Sequence, residues 1–126
     1  MKTEILIVGC GVAGLYCALN LPREKKITII TKDEATQSDS FLAQGGICVL
    51  RDEADYDSFF EDTLRAGHYE NNPESVDLMI RSSRDVIGDL VSYGVRFEKN
   101  GEEFNYTREG AHSKPRILFH EDETGR

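Results

Sequence analysis

The first thirty residues alternate between short apolar runs and turns rich in glycine or charge. The run Ile5 to Val8 ends at a glycine, which predicts a parallel strand buried on both faces. A helix is predicted from about Ala13 to Leu21, ending at Pro22. The β-branched run Ile27 to Ile30 predicts a second strand that pairs parallel to the first. These elements form a right-handed βαβ unit, which predicts an α/β, Rossmann-like fold.

The pattern becomes helical further along the chain. The polar segment Thr31 to Asp39 predicts a loop across the carboxyl ends of the strands, where open α/β sheets bind ligands. A helix is predicted over Asp55 to Ala66, stopped by Gly67, and another begins near Pro73. The predicted buried stripes are Tyr56, Phe59, Phe60, Thr63 and Leu64 in the first of these helices, and Val76, Met79, Ile80, Ile87, Leu90 and Val91 in the second.

The remaining pattern predicts short β elements. Gly94 ends the long helix, Val95 to Phe97 is predicted as a strand, and Asn100-Gly101 is a dipeptide suited to a hairpin turn. The tail from Thr107 to Arg126 is dense in Arg, His and Lys. We find no internal repeat and no interdomain linker. Because 126 residues are few for an enzyme that holds a dinucleotide and a substrate, we expect residues 1–126 to be an incomplete domain that stops in mid-fold.

Composition narrows the class of protein. The chain has 126 residues and a net charge of -8, with 30% charged and 39% hydrophobic residues, which is typical of one globular domain. The absence of a basic cluster argues against nucleic-acid binding, and no apolar run is long enough for a membrane span. Three cysteines without metal-ligand spacing indicate reduced thiols, no metal site and a cytoplasmic location.

The first candidate site is the glycine motif that follows the first strand, Gly9-Cys10-Gly11-Val12-Ala13-Gly14. In such a turn, backbone N–H groups and the positive end of the helix dipole face an anionic diphosphate. Gly9 would permit the tight turn, Gly11 the approach of the diphosphate, and Gly14 the close packing of helix on strand. The apolar stretch at this end could also imitate a signal peptide, but three glycines at this spacing favour the nucleotide site.

The end of the second strand departs from the usual dinucleotide pattern. An acidic residue normally follows this strand and binds a ribose hydroxyl. Here Thr31 and Lys32 come first, so Thr31 or the Lys32 backbone is a candidate ribose contact and Asp33 a possible substitute. The departure argues against a plain NAD-binding domain.

A second glycine motif, Ala43-Gln44-Gly45-Gly46, lies about thirty residues after the first. Taken alone, a Gly-Gly pair is only a turn. Together with the first motif, however, its bare backbone N–H groups suit the polar edge of a flavin ring. The candidate cofactor-binding residues of this segment are Asp39, Ser40, Phe41, Leu42, Ala43, Gln44, Gly45 and Gly46, which add to Lys32 and to Gly9 through Gly14.

Longer stretches of the chain resemble a known family. Ser40-Phe41-Leu42-Ala43-Gln44-Gly45-Gly46-Ile47 and Glu61-Asp62-Thr63-Leu64-Arg65-Ala66-Gly67 resemble the flavoproteins of the fumarate reductase and succinate dehydrogenase superfamily. Thr107-Arg108-Glu109-Gly110-Ala111-His112-Ser113, Arg116-Ile117-Leu118 and Thr124-Gly125-Arg126 resemble the L-aspartate oxidase family within it. The resemblance covers nearly the whole chain, but only about the first quarter of such an enzyme.

The resemblance implies FAD as the cofactor. Relatives that attach flavin covalently have a histidine five residues before the glutamine of the Ala-Gln-Gly-Gly motif, where this chain has Asp39. Non-covalent FAD is therefore implied. The chain is then expected to be the N-terminal part of a Rossmann-like FAD-binding domain.

The resemblance also implies a substrate site in the Thr107 to Ser113 segment. Glu109 matches the family glutamate that lies by the substrate amino group, Arg108 could pair with Glu109 or a substrate carboxylate, and His112 could donate a hydrogen bond. The alternative for Arg108, Lys114 and Arg116 is a solvated basic loop.

The implied reaction is oxidation of L-aspartate to iminoaspartate, the step that feeds quinolinate and NAD synthesis. Implied partners are L-aspartate, oxygen or fumarate as electron acceptor, and quinolinate synthase. The alternatives are a soluble fumarate reductase or succinate dehydrogenase flavoprotein, a non-catalytic nucleotide-binding module, and a plain NAD-binding domain.

Overall fold

The computed structural model describes residues 2–121 and 123–125. Arg126, which closes the last resemblance motif, lies outside the described residues. The chain divides into two compact units. The first contains the chain through Gln44 together with Gly125, and the second is Gly45–Thr124.

The first unit contains the predicted βαβ arrangement. Strand β1, Ile5–Val8, pairs parallel with β2, Ile27–Ile30, so that Ile5 lies opposite Ile27. Helix α1, Val12–Asn20, connects them and begins one residue before the predicted start. The polar segment after β2 contains a short 3₁₀ helix, Ala35–Gln37. The predicted α/β fold with a parallel sheet is confirmed.

Burial of β1 differs from the prediction. Ile5 and Ile7 are partly buried, but Leu6 is 54% and Val8 78% exposed. The prediction that β1 is buried on both faces is therefore wrong for these residues. The reason is that, in the part of the chain described, the sheet has two strands and α1 is the one helix packed against β1.

The described part of the second unit combines two helices with short strands. In chain order the elements are β3 (Ile47–Cys48), α2 (Tyr56–Ala66), α3 (Pro73–Ser92), β4 (Lys99–Asn100), β5 (Glu103–Phe104) and β6 (Ile117–Leu118). β3 pairs antiparallel with β6, and β4 with β5. The β4–β5 hairpin turns at Gly101, whose φ of 69° suits glycine. The turn predicted at Asn100-Gly101 is confirmed, whereas β3 and β6 have no counterpart in the prediction.

Both helices begin and end near their predicted positions. α2 follows a short 3₁₀ helix, Glu53–Asp55, and ends at Gly67. α3 begins at Pro73 because the Asn72 side chain caps it, accepting a hydrogen bond from the Ser75 N–H at 3.1 Å.

The strand predicted over Val95 to Phe97 is absent, because this segment completes the end of α3. The Val95 N–H donates to the carbonyl of Leu90, and Gly94 has a φ of 105°. This bond closes the helix in the manner of a left-handed C-cap, so the amide is not available to a sheet. Phe97 is nevertheless buried.

Two clusters form the core of the second unit. Their buried members are Val49, Ile87, Phe97 and Leu118 in one cluster and Leu50, Phe59, Val76 and Ile80 in the other. Most of the predicted stripe of α3 belongs to them, but Met79 is 49% and Val91 39% exposed, so those two predictions are wrong. The buried face of α3 is narrower than its apolar residues suggest.

Candidate functional site

The turn between β1 and α1 is shaped by glycine. Gly9 has a φ of 108°, and its N–H donates to the carbonyl of Ile30 at 2.8 Å, which ties the turn to the end of β2. A Cβ on Gly14 would overlap the carbonyl oxygen of Gly9. Both positions therefore require glycine so that α1 can begin immediately beside the strand.

The N-terminus of α1 is open to an anion. Its first turn contains no acidic residue, and the Val12 N–H donates to the Ser40 hydroxyl at 3.0 Å. A Cβ on Gly11 would lie 3.1 Å from the Ser40 Oγ, so a larger residue here would fill the space in front of the helix. Free N–H groups at a helix N-terminus favour phosphate oxygens.

A cavity of about 690 Å³ lies within the first unit, in front of this turn. The predicted cofactor residues that line it are Gly9, Cys10, Gly11, Lys32, Asp39 and Ser40. The predicted residues outside its lining are Val12, Ala13, Gly14, Phe41, Leu42, Ala43 and Gln44 within the same unit, and Gly45 and Gly46 in the second unit. Glu34 and Gln37 also line the cavity, although sequence reasoning did not single them out.

The carboxyl end of β2 forms the second wall of this cavity. The Cys10 thiol donates to the Thr31 hydroxyl at 3.2 Å, and the Asp33 carboxylate accepts the Glu34 N–H at 2.8 Å. One oxygen of Asp33 is therefore used in a hydrogen bond to the backbone of the next residue. The hydroxyls together with the N-terminal end of α1 fit a nucleotide diphosphate and ribose.

The two glycines of the second motif have different surroundings in the second unit. A Cβ on Gly46 would overlap Ile117 and the carbonyl of Leu118, so Gly46 allows the close approach of β6. A Cβ on Gly45 would lie 3.6 Å from the Glu109 carboxylate, which is an ordinary contact. Gly45 therefore lies beside the predicted substrate glutamate.

The predicted substrate residues share one turn. The His112 N–H donates to the carbonyl of Glu109 at 3.0 Å, and Gly110 between them has a φ of 21°. Arg108 and Glu109 are exposed, whereas His112 is partly buried.

A buried ionic cluster supports this turn. Arg116 is fully buried and binds Asp55 through Nε and Nη2, at 3.0 and 2.8 Å. Its Nη1 donates to Asp62 at 2.7 Å. Asp62 also accepts the N–H and the hydroxyl of Ser113, both at 2.7 Å, so α2 holds the loop that carries Glu109 and His112.

This cluster was not recognised in the sequence, and the solvated basic loop is wrong for Arg116. The signal was present at the start of α2, because its N-cap Asp55 and the helical residues Ser58, Phe59 and Asp62 are spaced to lie on one helical face. Polar residues that share a face with a buried aromatic indicate a buried polar partner elsewhere in the chain.

The cluster changes the protonation of its carboxylates. Burial alone raises the pKa of Asp62, but hydrogen bonds from Ser113 and Arg116 outweigh it and lower the pKa to about 2. Burial likewise raises the pKa of Asp55. The hydrogen bonds from Arg116 and Ser58 outweigh burial, and the net result is a lowered pKa. Both groups are therefore ionised at neutral pH.

His112 connects the cluster to a second cavity, of about 540 Å³, within the second unit. Its Nδ1 lies 3.0 Å from Arg116 Nη1, and its Nε2 lies 3.0 Å from the Cys48 Sγ. Burial and the Arg116 charge lower the pKa of His112, and burial raises the pKa of the Cys48 thiol. The pair is therefore uncharged at neutral pH, unlike the thiolate–imidazolium pair of a cysteine nucleophile.

The βαβ unit with its glycine turn is typical of a dinucleotide-binding protein, and comparison with known families gives the nucleotide. Residues 4–126 match the FAD binding domain family. The chain belongs to this family, and FAD is its cofactor.

Similar curated proteins within this family are L-aspartate oxidases. The chain is 46% identical to the L-aspartate oxidase of Clostridium acetobutylicum, with all of this chain and 29% of the relative aligned. It is 47% identical to the L-aspartate oxidase of Clostridium perfringens, over 98% of this chain and 28% of the relative. The resemblance to L-aspartate oxidases is confirmed, and the chain spans less than a third of the length of these curated relatives.

Solved structures share the fold. E. coli quinol fumarate reductase FrdA superposes with a TM-score of 0.91 at 25% identity, covering 99% of this chain and 22% of that one. Mycobacterium smegmatis Sdh1 superposes with a TM-score of 0.89 at 24% identity, again over 99% of this chain and 22% of its own. At 24% identity, the similarity to Sdh1 supports the fold alone. Among the residues described, no helix is both long and apolar enough to cross a bilayer.

Proposed function

We propose that residues 1–126 are the N-terminal part of the FAD-binding domain of an L-aspartate oxidase. The reaction is oxidation of L-aspartate to iminoaspartate, with oxygen or fumarate as the acceptor. The observation that carries this proposal is the turn of Glu109 and His112 beside Gly45, within a chain 46% identical to an L-aspartate oxidase.

The first unit holds the nucleotide in this proposal. N–H groups at the start of α1 bind the diphosphate, Gly11 leaves room for it, and Thr31 or the Lys32 backbone binds the ribose. FAD, when bound, supplies the acceptor for the hydride that leaves the substrate carbon. Attachment is non-covalent, because Asp39 stands where covalent relatives have histidine.

The second unit binds the substrate. The Glu109 carboxylate pairs with the substrate ammonium group, and His112 donates to a substrate carboxylate. Arg108 lies next to Glu109 in the chain and can pair with the other carboxylate. These contacts orient the substrate carbon, which is the protein's contribution to the rate.

The pathway and the partners follow from this assignment. The product feeds quinolinate and NAD synthesis, with quinolinate synthase as the partner enzyme and the cytoplasm as the location. Residues 1–126 alone are expected to show no turnover, because an amino-acid substrate with two carboxylates needs more cationic anchors than this segment provides.

FAD binding is the first test. Residues 1–126 alone are expected to hold FAD poorly, so FAD is titrated into the longer protein that carries this chain and binding is followed by flavin fluorescence. Gly11→Ala is expected to weaken this binding by about tenfold or more, because steric loss at a phosphate contact costs about 1.4 kcal/mol or more. Gly88→Ala is the matched control, because a Cβ there meets no atom within 4 Å. Acid precipitation is expected to release free yellow cofactor. Binding of NADH in place of FAD would contradict the proposal.

The substrate is tested in the longer protein that carries this chain. Glu109→Gln is expected to lower kcat/KM for L-aspartate by about 10- to 100-fold, the worth of one charge-assisted hydrogen bond. Glu102→Gln, an exposed glutamate in the β4–β5 turn, is the control. Faster oxidation of succinate than of L-aspartate would instead assign the protein to the fumarate reductase and succinate dehydrogenase flavoproteins.

A further inference from the structure

The geometry points to Arg116 as a positioning residue that fixes His112 as a neutral hydrogen-bond donor with its proton on Nε2. The role of His112 in substrate binding rests on the proposed function. It assigns His112 to donation and excludes it as the base that removes a substrate proton through Nδ1.

The tautomer follows from the chemistry of the two partners. A guanidinium has five donors and no acceptor, so Arg116 Nη1, 3.0 Å from Nδ1, can only donate to it. Nδ1 must then be unprotonated, and the proton of the neutral ring is on Nε2. A doubly protonated ring would place one N–H against another at this contact.

Arg116 is itself held rigidly. Asp55 accepts two hydrogen bonds from one edge of its guanidinium, through Nε and Nη2, and Asp62 accepts one from Nη1. The guanidinium also lies over the Phe59 ring, with its central carbon 4.8 Å from the ring centroid. The side chain is fully buried, so water does not compete for these hydrogen bonds. The direction of its donor to His112 is therefore fixed by α2 and by the turn before it.

The charges around His112 come from several elements. Burial is the largest cause that opposes protonation of His112, and the charge of Arg116 adds to it, whereas Asp62, Glu109 and Asp55 favour protonation. Cys48 on β3 faces the other ring nitrogen as a thiol. The net result is a lowered pKa for His112, in agreement with the contact geometry.

Because the ring proton is on Nε2, His112 has a hydrogen-bond donor that a ligand can bind. Nε2–H now faces the Cys48 sulfur at 3.0 Å, and a thiol sulfur is a weak acceptor. Both residues line the second cavity. A carboxylate oxygen entering there is a stronger acceptor, so the exchange favours an anionic ligand without any change of charge on the ring.

The test reads the protons of His112 directly and needs neither FAD nor substrate. In ¹⁵N-labelled chain, the imidazole nitrogens of His112 are assigned by their loss in His112→Gln, with His68→Gln as the matched control. Nδ1 is expected to be unprotonated and Nε2 protonated at neutral pH. A protonated Nδ1 at neutral pH would overturn the inference.

Two variants separate the partners of the ring. Cys48→Ala is expected to leave the tautomer unchanged, because Arg116 and not the thiol selects it. Arg116→Met is expected to give a mixture of tautomers and to raise the pH at which His112 titrates. A change of tautomer in Cys48→Ala, or none in folded Arg116→Met, would refute the role of Arg116.

The wild-type and Cys48→Ala spectra remain decisive if Arg116→Met unfolds. Failure of this inference is also distinguishable from failure of the proposed function. A protein that oxidises L-aspartate with a protonated Nδ1 loses only the inference, and one that shows the expected tautomer but no aspartate oxidation loses only the proposed function.

Discussion

Arg116 and Asp55 meet edge to edge, with two parallel N–H to oxygen bonds of 2.8 and 3.0 Å. The pair joins the residue before β6 to the turn that opens α2, although 61 residues separate them in the chain. Both side chains are withdrawn from water, at 0% and 5% exposure. Each charge is therefore tolerable only while its partner is present.

Removal of one partner should destabilise the chain strongly. Asp55→Asn is expected to lower the free energy of unfolding by about 3 kcal/mol, because it leaves the buried guanidinium with one carboxylate in place of two. Urea unfolding measures the difference. Asp85→Asn makes the same chemical change at an exposed position of α3 and should alter stability by less than about 0.5 kcal/mol. Equal effects of the two substitutions would contradict the ionic cluster.

Stability should depend on acid through the same cluster. The pKa of Asp62 is lowered to about 2 in the folded chain, so its ionised form stabilises the fold at neutral pH. This contribution is present above the ordinary aspartate range and is lost as the pH falls from that range through about 2. Unfolding by urea at several pH values should therefore show a steep loss of stability below about pH 4. Asp62→Asn should flatten this part of the curve, and an unchanged slope would argue against the lowered pKa.

Gly14 should tolerate no side chain. Gly14→Ala places a methyl group against the carbonyl of Gly9, which should cost about 2 kcal/mol or more and weaken FAD binding by displacing α1. Gly88→Ala lies in the interior of α3 with open space around it and should stabilise the chain by about 0.5 to 1 kcal/mol. Thermal unfolding of both variants tests the contrast. A neutral Gly14→Ala would show that the helix is not packed so closely.

The adjacent glycines of the second motif should behave differently. Gly46→Ala should destabilise the second unit by about 2 kcal/mol, because the new methyl group forces β6 away from β3. Gly45→Ala meets only an ordinary contact with Glu109 and should leave unfolding nearly unchanged. Urea unfolding of the two variants is the measurement. The expectation fails if both variants lose the same stability.

Local signals in the sequence were sufficient for the first unit. The bounds of β1 and β2 were predicted correctly because each is a short apolar run between strong breakers, and their parallel pairing followed from the helix between them. Gly9 and Gly14 could be assigned for the same reason, since the close packing of helix on strand is a local requirement. The exposure of Val8 was missed, because burial depends on what covers the sheet.

Long-range contacts limited the prediction for the second unit. β3 and β6 contain two residues each and pair across about seventy positions, so neither has a pattern of its own. Arg116 was placed in a basic tail because its carboxylate partners are distant in sequence, Asp62 on α2 and Asp55 in the turn before it. Gly46 was assigned to the cofactor, and the structure adds a packing requirement that no local pattern contains.

The uncovered face of the parallel strand pair affects how the chain behaves in solution. Leu6, Val8 and Ile30 are 54%, 78% and 46% exposed, and strands with apolar surface and free edges associate with other copies. A preparation of residues 1–126 should therefore scatter more light as its concentration rises. Leu6→Thr, which keeps β propensity but lowers surface hydrophobicity, should leave such solutions clear.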